Sequence, residues 1–332
     1  MTVASAVGDS ASATRARALV TGGAGFIGSH LVEALLQRGV EVAAVDDLST
    51  GRAANLAGVA GEVEILELDL READVRSVLE RGDFTSIFHL ASHADLAASV
   101  SAPRRDLELN VLTTLNLVEA MRDTECPARL VNLSSGAVYG DRAERPFREG
   151  DPVAPTSPYS VSKLAAEHYV GVFARLFGVH AASVRPFSAY GPRQRKQVVF
   201  DLIKKIDDDP FVVHVHGDGT QVRDLNHVSN VVDALLMVSD VAPMGGEVYN
   251  IGADSPTSVA TLVGLICDAM GAAPRVVWSG EVRKGDPQRL VADIGRLRAL
   301  GYQPRVGLAD GIADTVAWFR RDVAPPGPVH PP

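Results

Sequence analysis

Short apolar runs alternate with amphipathic stretches along most of the chain. Ala18-Leu19-Val20 is the first run, and a glycine-rich turn follows it directly. From about Phe26 to Arg38 the apolar side chains recur at helical spacing, and the pattern stops at Gly39. A second run, Val42 to Val45, ends in Asp46-Asp47. Further runs lie at 63–68, 86–91, 129–134 and 180–185, separated by helical patterns at roughly 72–80, 104–122 and 157–177. Strands alternating with helices predict βαβ units and a parallel sheet. Both faces of such a sheet are covered, so its strands read as continuous apolar runs.

After Pro192 the rhythm breaks. A basic segment, Arg193 to Lys196, is followed by a helical pattern and by His-Gly-Asp-Gly-Thr. A helix at about 228–239 and a strand from Glu247 to Ile251 are expected to return to the first sheet. The remainder predicts short helices and turns, punctuated by Pro274, Gly285-Asp286-Pro287 and Pro304. The expected fold class is α/β: a doubly wound parallel sheet with a smaller, discontinuous C-terminal domain. The nucleotide-binding part is expected at 16–190, with 226–252 returning to it, and the substrate domain at 191–225 and 253–322. Residues 1–15 and 323–332 read as flexible extensions.

Composition narrows the function. The chain has 332 residues, 46% of them hydrophobic and 22% charged, which excludes a disordered, collagenous or coiled-coil chain. A net charge of −9 argues against a nucleic-acid footprint. Cys126 and Cys267 make neither a disulfide framework nor a metal pair, and no metal is expected. No stretch approaches the ~18 consecutive apolar residues of a membrane helix. The opening segment lacks a charged region followed by an apolar run, so no secretory signal is read there and the chain is expected in the cytoplasm.

Gly22, Gly25 and Gly28 stand between a strand and a helix. Glycines there allow a tight turn, close approach of backbone amides to a pyrophosphate, and close packing of helix on strand. The helix N-terminus adds partial positive charge. The spacing is GxxGxxG, and taken alone it also fits an ordinary tight turn. Asp46 ends the next strand, where a carboxylate accepts from ribose hydroxyls and repels a 2′-phosphate, which favours NAD over NADP. Arg52 nearby works against that preference. Asp69, in Leu-Asp-Leu with Leu70, either caps its loop or bonds an adenine amino group.

Tyr159 and Lys163 lie four residues apart on a predicted helix and share a face. An ammonium beside a phenol is expected to lower its pKa from ~10 and make it a general base for a sugar hydroxyl. YxxxK alone is also a common surface pair. Here it joins Ser134-Ser135 at a strand end, where open α/β sheets bind ligands, although hydroxyls also simply cap strand ends. Ser135 is the candidate to bond both Tyr159 and a reacting hydroxyl.

Together these segments resemble the extended short-chain dehydrogenase/reductase family, in its nucleotide-sugar epimerase/dehydratase branch. TGGAGFIGSH, VDDLSTG, HLAS, SSGAVYG, SPYSVSK, VRPFSAYGPRQR, GDGTQVRD, YNIG and VRKGDP occur in family order from about 17 to 320. The resemblance implies a Rossmann-type sheet, bound NAD and a homodimer paired through the helices at about 104–122 and 157–177. It implies a catalytic triad of Ser135, Tyr159 and Lys163. Phe26 and Ile27 would lie beside the pyrophosphate, Asp46 at the adenosine ribose, and Leu90, Ala91 and Asn110 around the cofactor. Lys163 would also bond the nicotinamide ribose, and Pro186 to Ser188 would approach nicotinamide or substrate. Arg223 would clamp the substrate diphosphate, with Arg283 and Asp286 at the nucleotide ribose. His214 and His216 would flank the base, unless they are plain exposed strand histidines.

Two departures refine the expectation. Family 4,6-dehydratases carry Asp-Glu directly after the hydroxyl residue, and uronic acid decarboxylases carry a glutamate in the second position. This chain has Gly136 and Ala137. A 4-epimerase needs neither carboxylate. Ser188 stands where many members have asparagine, as in some uronic acid 4-epimerases, in which the residue matching Arg195 faces the sugar carboxylate. Arg193 and Arg195 otherwise bind phosphate or face solvent. The expectation is an NAD-dependent epimerase of a UDP-sugar, of glucuronate or glucose type, inverting carbon four through a 4-keto intermediate. A dehydratase, a 2-epimerase, a 4-ketoreductase and a non-catalytic NAD-binding sensor are the alternatives.

Overall fold

The computed structural model describes residues 16–141, 145–281 and 287–324. One sheet holds β1 (Arg17–Thr21), β2 (Glu41–Asp46), β3 (Val63–Glu67), β4 (Ser86–His89), β5 (Arg129–Leu133), β6 (Ala181–Pro186) and a seventh strand, Gly245–Ile251. From one edge its order is the seventh strand, β6, β5, β4, β1, β2, β3, and all neighbours run parallel. The chain winds from β1 out to β3 and then crosses back to β4. That reversal, between β1 and β4, is where sheets of this kind open a crevice at their carboxyl ends.

Alternation along each strand explains the double layer. In β1, Ala18 and Val20 belong to one core and Leu19 to the other; in β2, Val42 and Ala44 oppose Ala43 and Val45. On the first face pack α1 (Phe26–Gln37) and the helix Val228–Val241, through Leu31, Val32, Leu235 and others. On the second pack α2 (Val75–Gly82), α5 (Thr113–Asp123) and α6 (Pro158–Phe177), through Leu79, Leu117, Met121, Val170 and Phe173. Burying one such leucine contributes about 1.5–3 kcal/mol.

The helical pattern at 104–122 is not one regular helix. It follows α3 (Leu96–Ser101) and comprises α4 (Pro103–Leu107), a π turn over Glu108–Leu112 and then α5. Pro103, which lacks an N–H, starts α4, and the π turn shifts the register without breaking the rod. Single π turns concentrate at functional positions. α6 is well punctuated: Ser157 and Ser160 cap each other, Pro158 opens the helix, and Gly178 closes it in the left-handed region.

A third core of Tyr190, Phe200, Ile203, Leu262, Trp318 and Phe319 lies under small sheets. These pair 212–215 with 275–278, and 222–224 with 256–258 and 289–290. Among the described residues no helix is long and apolar enough to cross a membrane.

Candidate active site

Backbone geometry dictates the glycine loop. Gly22 donates to the Val45 carbonyl at 2.7 Å with φ +69°, and a β-carbon there would sit 2.7 Å from the Ala91 nitrogen. A β-carbon at Gly28 would sit 2.0 Å from the Gly22 carbonyl oxygen. Gly25 caps α1 without any side-chain acceptor, and no acidic residue occupies the first turn. The first amides of α1 are therefore left for an anion. Gly22, Gly25, Phe26, Ile27, Gly28, Asp46, Asp69, Leu70, Leu90 and Ala91 all line one crevice at the switch point. Asn110, Tyr159, Lys163 and Pro186 are not part of that lining.

Asp46 accepts from the Ala24 amide and from the Leu48 amide, each at 2.9 Å, and burial pushes its carboxyl above the usual range. Each oxygen keeps one lone pair for a ribose hydroxyl. Asp69 has the geometry of the loop-capping alternative. Its Oδ1 accepts from the Arg71 amide at 2.9 Å, and its carboxylate takes the Arg71 guanidinium, which holds it below the usual range. Its side chain still borders the crevice.

The floor of the crevice rests on His89, whose role the sequence did not disclose. Thr114 Oγ1 donates to the Asn110 carbonyl at 2.8 Å, so it accepts from His89 Nε2 at 3.0 Å. Nδ1 must then accept from Thr21 Oγ1 at 2.8 Å, and Thr21 Oγ1 accepts from the Ala91 amide at 3.2 Å. The ring is neutral, and burial together with the charge of Lys163 pushes it down to about 3.

Ser135 follows β5 and caps the 3₁₀ turn Gly136–Tyr139, its Oγ accepting from the Ala137 amide at 3.1 Å. Tyr159 and Lys163, one turn apart on α6, are both buried. The Ser135 side chain lies near enough to the Tyr159 phenol to favour its ionisation. The expectation that the ammonium lowers this phenol is corrected. Burial pushes Tyr159 above its ordinary value, Ser135 opposes the shift and Asp106 adds to it, with no contribution from Lys163. The ammonium is itself lowered by burial, to about 8, against the favourable charges of Asp106 and Glu167. Desolvation penalises both charged forms and is the largest cause of each shift.

Glu167, one turn beyond Lys163, is held by Arg185 of β6 through Nε at 2.8 Å and Nη2 at 2.5 Å. Arg185 Nη1 also donates to Tyr139 Oη at 2.7 Å, and Tyr139 donates to Asn250 Oδ1 at 2.8 Å. This buried network joins α6 to the turn after Ser135 and to the seventh strand.

The substrate candidates are more dispersed. Gly136 is buried and Ser188 half-buried, its carbonyl accepting from the Asn226 amide at 3.1 Å. Arg195 lines the crevice with Arg52 and Arg193; its guanidinium lies 5.5 Å from the Trp318 ring centre and donates to the Asp322 carbonyl at 3.4 Å. Burial, then the charge of Arg52, lowers it. Arg193 pairs with Glu33 of α1 at 2.5 Å. Arg223 sits on the strand Val222–Asp224, its Nη1 donating to the Val222 carbonyl at 3.0 Å. His214 and His216 are both exposed, as the plainer reading has it, and among the described residues no cluster could hold a metal. Arg283 and Asp286 lie outside the described residues.

The glycines that no side chain could replace, the uncapped helix and the Asp46 carboxylate fit a dinucleotide. Comparisons agree. The family model "NAD dependent epimerase/dehydratase family" matches residues 18–252. The UDP-glucose 4-epimerase of Mycolicibacterium smegmatis is 37% identical over 310 residues, covering 92% of this chain and 98% of that protein. The Thermus thermophilus UDP-glucose 4-epimerase complex with NAD has a TM-score of 0.84 at 36% identity, covering 92% of this chain and 100% of the other. A UDP-glucuronic acid 4-epimerase from Bacillus cereus, with NAD and UDP-4-deoxy-4-fluoro-glucuronic acid, has a TM-score of 0.86 at 27% identity, covering 92% and 99%. The chain belongs to the NAD-dependent epimerase/dehydratase family and is an enzyme that works with NAD.

Proposed function

We propose that the protein is a UDP-sugar 4-epimerase. The single observation that carries this is Tyr159 and Lys163 buried one turn apart on α6, with Ser135 near the phenol and no carboxylate at positions 136 and 137, in a fold whose switch-point crevice fits a dinucleotide. As the phenolate, a form that the positive charge of bound NAD would favour, Tyr159 Oη takes the proton of the sugar 4-hydroxyl, and Ser135 Oγ holds the oxygen that loses it. NAD, when bound, supplies an acceptor for the electron pair of the carbon–hydrogen bond and returns that pair. Gly22 to Gly28 and Asp46 hold the dinucleotide so that this exchange needs no diffusion. The planar 4-keto sugar turns about its diphosphate link and presents its other face, and Tyr159 returns the proton.

Gly136 supports epimerisation over dehydration. A β-carbon at Gly136 would lie 2.9 Å from the buried Phe187 ring, so an acidic side chain there would displace the ring. Ser188 and Arg195 support a uronic acid as substrate, since some uronic acid 4-epimerases have a small hydroxyl residue at the position of Ser188 and their residue matching Arg195 faces the sugar carboxylate. A second copy of the chain is proposed as partner. Val161, Tyr169, Val172 and Leu176 expose a continuous apolar face of α6, which pairing of two copies would cover.

The test is incubation with UDP-glucose, UDP-glucuronate and their N-acetylated relatives without added NAD, with products separated by chromatography. Inversion at carbon four of one of them supports the reading. A stoichiometric demand for external reduced cofactor, or loss of water, contradicts it.

A further inference from the structure

Asp106 is a buried carboxylate that the mechanism above leaves unused. It is 1% exposed, on α4, two residues before the π turn begins. Its Oδ2 accepts from Ser162 Oγ at 2.6 Å and its Oδ1 from Asn110 Nδ2 at 3.1 Å. Ser162 immediately precedes Lys163 on α6 and lies one turn after Tyr159. Asn110 also donates to Ser162 Oγ at 3.0 Å, and its Oδ1 accepts from the amide of His93, which lines the crevice. No described lysine or arginine forms an ion pair with Asp106, whereas Glu167 is held by the Arg185 guanidinium.

We propose that Asp106 is a positioning residue of the active site: a buried carboxylate that fixes Ser162 between Tyr159 and Lys163 and sets a negative charge facing both. This rests on the reading of Tyr159 and Lys163 as the proton-transfer pair. The charge favours the ammonium of Lys163 and disfavours the phenolate of Tyr159.

The other charged groups near the pair are accounted for. His89, from β4, is neutral. Glu167, on α6 itself, is matched by Arg185 of β6. His168 and Arg175, also on α6, are exposed. Arg104 and Arg105 of α4 are exposed, and Glu108 of the π turn faces Arg71. From α5, Arg122 pairs with Asp123 and Glu119 lies near Arg122. From the seventh strand, Glu247 takes the Gly245 amide. Asp95, which precedes α3, caps Ala98 and pairs with Lys196.

Asp106→Asn keeps the shape and can keep every hydrogen bond. The amide oxygen accepts from Asn110, the amide nitrogen donates to Ser162 Oγ, and the Ser162 hydroxyl turns to the Tyr159 carbonyl, already 2.9 Å away. The measurement is the pH profile of kcat/KM for the inverted UDP-sugar. With the negative charge gone, both the phenol and the ammonium titrate lower. The acid and alkaline limbs therefore both move down, by about one pH unit or more. Loss of turnover with both limbs fixed overturns the proposal, because a merely structural residue would act that way. Asp106→Ser, which also removes the charge, gives the same displacement should the asparagine variant fold poorly. Ser162→Ala keeps the charge and lowers turnover with the limbs unmoved; limbs that move as far as in Asp106→Asn contradict the charge argument. If the parent chain inverts no UDP-sugar, the functional reading falls first. The inference is then read from tyrosinate absorbance. The titration step missing in Tyr159→Phe moves to lower pH in Asp106→Asn, and an unmoved step overturns it.

Discussion

Gly136 packs its backbone directly under the ring of Phe187, close enough that a β-carbon on it would approach the ring carbons to 2.9 Å. The absence of a side chain at 136 is therefore a packing requirement as well as a chemical one. Gly136→Asp is expected to lower the melting temperature, since overpacking of this kind costs about 1–3 kcal/mol. It should cut 4-epimerisation by up to ~100-fold through displacement of Ser135. Chromatography should find no dehydrated product from the Gly136→Asp, Ala137→Glu double variant, because a carboxylate at 136 without room to seat does not reconstruct an elimination site.

Tyr159→Phe removes the proton acceptor and leaves the ring in its buried place. Turnover is expected to fall ~100-fold or more, with little change in thermal unfolding. Initial rates and a melting curve on the same sample check both halves. Turnover near that of the parent chain would show that another group takes the proton.

His89 predicts a pH dependence of stability. Its folded-state value, about 3, lies below the unfolded value of 6.5. The unfolded chain therefore binds a proton that the folded chain refuses, and the stability from this site is lost as pH falls from about 6.5 towards 3. At pH 5 the loss is about 2 kcal/mol. Urea unfolding at pH 7.5 and pH 5 should show a component of that size, and it should vanish in His89→Gln.

The Glu167–Arg185 pair is buried on both sides, with side-chain exposures of 4% and 5%. Arg185→Leu strands the carboxylate and should cost about 3–5 kcal/mol, whereas Glu167→Leu with Arg185→Leu should recover part of that. A double-mutant cycle from denaturant unfolding measures the coupling. A double variant destabilised by the sum of the two single variants would show that the pair is not coupled.

Arg195 offers a test of the sugar. If it meets a carboxylate on the substrate, Arg195→Met raises KM for UDP-glucuronate ~10-fold or more and leaves KM for UDP-glucose nearly unchanged. Equal effects on both would return Arg195 to its contacts with Trp318 and Asp322.

What could be read from the chain follows from distance along it. Gly22 to Gly28, Asp46 and the Tyr159–Lys163 pair act through short, regular spacings, and the structure gathers the loop and Asp46 at one crevice. The networks beneath them join residues that no spacing connects: Thr21 with His89 and Thr114, Arg185 with Glu167, Tyr139 and Asn250. Asp106 was equally hidden, because the π turn that follows it leaves no mark in a hydrophobic pattern. The phenol's direction was misjudged because proximity along a helix reveals attraction between charges but not the desolvation that opposes it.

The central claim is that the hydrogen leaving carbon four returns to carbon four of the same sugar. Incubating the protein, without added NAD, with a UDP-sugar deuterated at carbon four tests this directly by mass spectrometry and NMR. The account predicts an inverted product that keeps its deuterium at carbon four. Deuterium washed out into water, or an unchanged configuration at that carbon, would contradict it.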